Sequence, residues 1–138
     1  MPIHPIEKLS KYRKADTVVL LGSGSSINRL TPEAWEKIGL CDTLALNNWV
    51  YHPSFVPDFY MIEVKGYDYP IVRRRLAEKW EYYQNCKYIF LKGKAVRFPD
   101  GNRCPITNVL PGDADVFEYE VQHRDRKRTS KKVDAFYA

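Results

Sequence analysis

The chain has 138 residues, 44% of them hydrophobic, the length of one domain with enough apolar mass for a core. No apolar run reaches the ~18–20 residues that cross a bilayer, and the polar opening MPIHPIEKLSKYRKAD lacks the apolar stretch of a signal peptide. The net charge of +5 is concentrated in residues 121–138, where Arg124, Arg126, Lys127, Arg128, Lys131 and Lys132 outnumber Asp125 and Asp134. The remainder is nearly neutral, so the basic balance is no argument for specific nucleic-acid binding by the folded part.

Residues 1–16 read as a lead-in, with Ile6, Leu9 and Tyr12 at the spacing of a short amphipathic helical turn. Thr17, Val18, Val19, Leu20 and Leu21 run without alternation, which predicts a strand buried on both faces inside a parallel sheet. The strand stops at Gly22-Ser23-Gly24-Ser25-Ser26. Two glycines allow a tight turn and close approach of a ligand, and three serines add hydroxyl donors beside the backbone amides. A strand followed by such a loop is where α/β proteins hold phosphate, so residues 22–26 are read as a nucleotide-phosphate site. The plain alternative is a tight turn that holds nothing.

Residues 27–30 are expected to start a short helix or turn. Thr31-Pro32-Glu33 is a helix start: a capping hydroxyl, a proline at the first helical position and an acid at the positive end. Trp35 and Ile38 should face inward, and Gly39 should end the helix. Asp42–Leu46 predicts a second buried strand, closed by Asn47-Asn48. Trp49–Val56 reads as an aromatic loop, and Phe59–Ile62 as a third strand ending at Glu63. The helix opened by Tyr69-Pro70 should bury Val72, Leu76, Trp80 and Tyr83, turn Arg73, Arg74, Glu78, Lys79 and Glu81 mostly to water, and stop near Asn85. Tyr88–Leu91 predicts a fourth strand and 92–112 a long loop. Asp115–Val121 alternates as a half-exposed edge strand does.

The order is that of an α/β fold, a Rossmann-like, mostly parallel sheet with flanking helices. The domain is expected over residues 17–121, after the lead-in and before a basic tail at 122–138. Ligands in such folds sit at the carboxyl ends of the strands, where residues 22–26, Asn47-Asn48 and Glu63 can converge.

Two common phosphate motifs are excluded. A P-loop needs a lysine that the 22–26 stretch lacks. A dinucleotide fingerprint needs a third glycine where Ile27 stands, and an acid after the second strand where Asn47 stands. An amide at that place still has donors and an acceptor for a ribose or base edge. No metal site or cofactor is expected. The three cysteines, Cys41, Cys86 and Cys104, are far apart and expected as reduced, structural thiols of a cytoplasmic protein. His52 and Glu63 are the candidate general bases, with a packing histidine and a salt-bridged strand end as the plain alternatives. Asp58 suits a turn or cap, and Trp49, Tyr51, Phe55, Phe59 and Tyr60 are read first as core and second as a ring platform.

The GSGSS loop after its strand, the LALNNW strand end and the PDFYMIE strand resemble the opening of the bacterial sialyltransferase-like and Kdo transferase-like glycosyltransferases, over about residues 17–63. The resemblance implies binding of a CMP-activated acidic sugar such as sialic acid or Kdo, and transfer to a glycan acceptor in surface polysaccharide synthesis. By position it places Gly22, Ser23, Gly24, Ser25, Ser26, Asn47, Asn48 and Glu63 against the nucleotide, with Ser25 where the family carries proline. The family's members are longer and their later half has no counterpart here, so the chain is expected to be the nucleotide-binding portion, an incomplete domain. A similar opening occurs in motility-associated proteins and in archaeal pterin pyrophosphokinases. Two other functions are therefore kept: a pterin-kinase-like phosphotransferase using magnesium and a nucleoside triphosphate, and a non-catalytic interaction module. In either case residues 124–132 suit contact with an anionic membrane surface.

Overall fold

The structure, a computed structural model, describes residues 2–53 and 55–121. Its strands are β1 (Ile3–Pro5), β2 (Val18–Leu21), β3 (Asp42–Leu46), β4 (Phe59–Met61), β5 (Lys87–Leu91), β6 (Ala95–Arg97), β7 (Arg103–Pro105) and β8 (Asp115–Tyr119). The helices are α1 (Pro32–Gly39), α2 (Tyr69–Glu78) and α3 (Trp80–Tyr83), with 3₁₀ turns at Ile6–Tyr12, Ser25–Arg29, Asn47–Tyr51 and Ile106–Val109. Six strands form one sheet in the order β1-β8-β5-β4-β3-β2, every neighbouring pair parallel. The fold is α/β, as the alternation of elements predicts.

From β2 the chain steps through β3, β4, β5 and β8 in one direction across the sheet. Right-handed crossovers that all advance the same way land on the same face. That face carries Leu21, Ala45, Tyr60, Tyr88, Phe90 and Val116, and onto it pack Val72, Leu76 and Tyr83 with the half-buried Trp35 and Ile38. The inward helix faces are those the spacing predicts. The Thr31 hydroxyl accepts the Ala34 N–H at 3.2 Å and caps α1.

The opposite face is covered at β8 and β5 by the Ile6–Tyr12 turn. Tyr12 meets Phe117 edge-on at 5.7 Å, and the Lys87 amine lies over the Tyr12 ring. Beyond this cover the face opens. Leu44, Leu46 and Met61 are half-buried, and at the β2 end Val18 and Leu20 are 55% and 63% exposed.

Several sequence expectations change. The Thr17–Leu21 strand is not interior: it is the edge of the sheet, and of its side chains Leu21 alone is buried. An apolar run records a tendency to be covered, but cover has to come from a neighbour, and among the described residues none stands outside β2. Asp115–Tyr119 is the reverse case. It is interior, because β1 pairs beyond it and Val116 and Phe117 are buried. The supposed lead-in thus supplies β1, a strand too short to announce itself by pattern.

The chain then crosses to β2, held by the buried Asp42. That carboxylate accepts the Lys14 and Ala15 amides at 3.1 and 3.2 Å, while the Lys14 amine pairs with Asp58 at 3.2 Å. Asp58 also accepts the Thr43 amide and hydroxyl, a tie to the neighbouring strand in place of the local turn or cap expected of it.

The long helix is broken at Lys79 (φ −112°, ψ 15°), whose side chain is not a solvated one: its amine donates to the Val50 and His52 carbonyls at 2.9 and 3.4 Å. The stretch 92–112 is not a plain loop but an antiparallel β6–β7 pair followed by a 3₁₀ turn. Its signal was present in Pro99-Asp100-Gly101-Asn102, a turn sequence with Gly101 at φ 88° and the Asp100 carboxylate accepting the Asn102 amide. Trp49, Tyr60 and Phe59 are core residues rather than a platform. Cys86 is buried, its thiol donating to the Pro57 carbonyl, and Cys41, Cys86 and Cys104 are all free thiols.

Candidate functional site

The 22–26 loop leaves the carboxyl end of β2, exposed at every residue, and runs into the Ser25–Arg29 turn. Neither glycine has a left-handed backbone: Gly24 sits at φ −68°, and Gly22 is absent from the positive-φ residues. A Cβ on Gly22 would meet nothing within 4 Å. Neither chain packing nor torsion therefore demands glycine at 22; what glycine leaves there is open space beside the backbone.

The loop is braced from β3's far side. His52 places Nε2 3.2 Å from the Ser23 carbonyl and Nδ1 3.1 Å from Asn28 Oδ1, with its ring against buried Trp49. The Lys79 amine holds the His52 carbonyl in turn, and burial lowers the pKa of that amine. Both nitrogens of His52 thus face oxygens of this segment, and a neutral ring donates to one of them. Its place in the geometry is that of a strut.

Asn47 ends β3 in the left-handed region, φ 47°, where asparagine is tolerated better than most residues. Its Oδ1 accepts the Glu63 amide at 2.9 Å, and its carbonyl accepts the Tyr60 hydroxyl, which also takes the Val50 amide. Asn47 and Glu63, 16 residues apart, are therefore joined directly. The loop joins the assembly through His52 and not through Asn47. Asn48 is half-buried in the 3₁₀ turn. The Glu63 carboxylate is exposed, stands 3.8 Å from the Lys94 amine, and with burial raises the pKa of Tyr119.

Asn47 and Glu63 open onto a groove of about 680 Å³ whose other lining includes Lys65, Tyr67, Lys94 and Arg97. Sequence reasoning missed these cations, along with Asn28 and Lys79. Lys94 and Arg97 lay hidden in the supposed loop, and only the PDGN turn, read as a hairpin, would have placed them. From β2 onward the strands advance in one direction, so no crevice of the switch-point kind forms beside β2, and the polar ends lie along an open rim.

Among the described residues no group of three His, Cys, Asp or Glu stands where it could hold a metal ion, and no helix is long and apolar enough to cross a membrane. The basic stretch 124–132 lies outside the described residues. Fold and rim together define the class: a parallel α/β protein with a polar, ligand-sized rim at its strand ends. Against known proteins, the chain matches no family model, no curated protein and no solved structure.

Proposed function

We propose that the rim binds the nucleotide of a CMP-activated acidic sugar such as sialic acid or Kdo, and that the chain is the nucleotide-binding portion of a cytoplasmic glycosyltransferase of surface polysaccharide synthesis. The observation that carries this reading is the space at Gly22. A glycine that the fold does not require, at the carboxyl end of a parallel strand, keeps the loop amides open to a phosphate. The amides and hydroxyls of Ser23, Ser25 and Ser26 would hold the phosphate, and Asn47 and Asn48 would offer amide groups to ribose or base. The leaving nucleotide's charge would be stabilised by those same fixed donors. Of the two candidate bases, Glu63 is exposed beside the Lys94 amine and would face an acceptor hydroxyl by leaving that ion pair, while His52 keeps the loop in place.

Calorimetric titration with CMP tests the proposal. Gly22→Val is expected to leave the melting temperature in place and weaken CMP at least about tenfold, a loss of ~1.4 kcal/mol. Equal CMP affinity in Gly22→Val, or silence of a folded chain towards CMP, would sink it. Tight, magnesium-dependent CTP binding would favour a phosphotransferase instead. The open β2 edge, with Val18 and Leu20 exposed, favours the second reading, an interaction module. That reading predicts a folded chain indifferent to every nucleotide.

A further inference from the structure

The groove beside the rim is built, not incidental. One wall is the 63–67 segment after β4, the other the 94–99 stretch that enters and leaves β6. Gly66 presses the walls together: a Cβ there would collide with the Arg97 carbonyl oxygen. Tyr69 and Phe98 close the contact below, their rings edge-on at 5.4 Å. Residues some 30 apart in sequence are thereby fixed face to face, at the strand ends where parallel sheets receive ligands.

The charges do not cancel. Lys94 is partly offset by Glu63 at 3.8 Å. The Lys65 amine and the Arg97 guanidinium have no hydrogen bond or ion pair among the described residues. Two unmatched cations in one groove suit one phosphate monoester, which carries about −1.5 to −2 charge at pH 7, better than a single carboxylate. Arginine adds a fork of donors that grips two phosphate oxygens at once. Tyr67, 65% exposed at the same rim, offers a ring face to whatever bears the phosphate.

We propose that this groove is a binding site for a phosphorylated small molecule, with Lys65 and Arg97 taking the phosphate and Tyr67 flanking its carrier. The site is separate from the Gly22–Ser26 loop and does not depend on the nucleotide reading.

The test is calorimetric titration of the full chain with glucose 6-phosphate, with glucose as neutral control. Binding of the phosphate ester alone is expected, weakening as salt rises. The double variant Lys65→Gln/Arg97→Gln should lose affinity at least about tenfold at an unchanged melting temperature, since both side chains are exposed. Arg97→Lys should keep more affinity than Arg97→Gln. Unchanged affinity in the double variant, equal binding of glucose, or no binding by the folded chain would each overturn the proposal. So would loss in Gly22→Val with retention in the double variant, which would move the phosphate to the loop. CMP is itself a phosphate monoester and Asn47 and Glu63 line this groove, so each ligand is titrated into both Gly22→Val and the double variant: loss of CMP in the first alone assigns it to the loop, and loss of glucose 6-phosphate in the second alone assigns that ester to the groove.

Discussion

Thr43 shows how much a single side chain can carry in this protein. It is almost fully buried, donates its hydroxyl to Asp58 at 3.1 Å and accepts the Asp58 amide at 2.9 Å. Thr43→Val keeps the shape and removes both bonds, leaving the Asp58 groups short of partners. A loss of about 1–3 kcal/mol is expected, read from the urea midpoint. Asn47 combines two demands, a left-handed backbone and an acceptor for the Glu63 amide. Asn47→Gly meets the first demand and Asn47→Ala neither. Alanine should therefore be the less stable, by about 1 kcal/mol, in parallel chemical denaturation. Of these residues the sequence showed part of the chemistry: Asp58 as a turn or capping carboxylate and Asn47 as a strand-end amide. It did not show the partners, because bonds across 15 or 16 residues follow from strand register, which residue types alone leave open.

Among the elements, β2 separates pattern from placement. Leu20 and Leu21 are neighbours of the same type, yet one is 63% exposed and the other 1%. Leu21→Ala should cost about 2–5 kcal/mol, the range for a buried leucine, and Leu20→Ala well under 1 kcal/mol as a surface change. Equal losses from the two, measured by thermal melting, would place β2 in the interior after all. The hairpin of β6 and β7 depends on Gly66 in the same way. Gly66→Ala drives a Cβ into the Arg97 carbonyl and should destabilise by about 1–3 kcal/mol through overpacking. Helices were legible because capping and the 3.6-residue period are local, as Thr31 and the Val72–Leu76 face show. The break at Lys79 was not, because the carbonyls that draw its amine inward belong to a segment 27 and 29 residues away.

At the scale of the molecule, the buried face of the sheet is rich in ionisable groups that must stay neutral. Burial raises the Cys86 thiol from its usual 9.0 to about 12 and pushes the Tyr60, Tyr83 and Tyr88 hydroxyls above their usual 10.0. The unfolded chain releases these protons first, so stability falls as pH rises. It should be level below about pH 9 and decline from there towards about 12, by up to ~1.4 kcal/mol per pH unit for each group that titrates. Circular-dichroism melts across that window check this, and Cys86→Ala should remove the earliest part of the slope. The sequence by itself determined the class of fold, the two covered helix faces, the polar strand ends and the glycine-serine loop. Each of these is written in local spacing, the short-range physics of torsion, capping and amphipathic period. Only the tertiary structure decided that β2 is an edge, that β1 makes β8 interior, that His52 braces the loop, and that Lys65 and Arg97 share a groove. Those outcomes depend on which strand pairs with which and on the direction of each crossover. A residue's type states that it favours burial or charge compensation, while the chain's path through space determines which neighbour provides it.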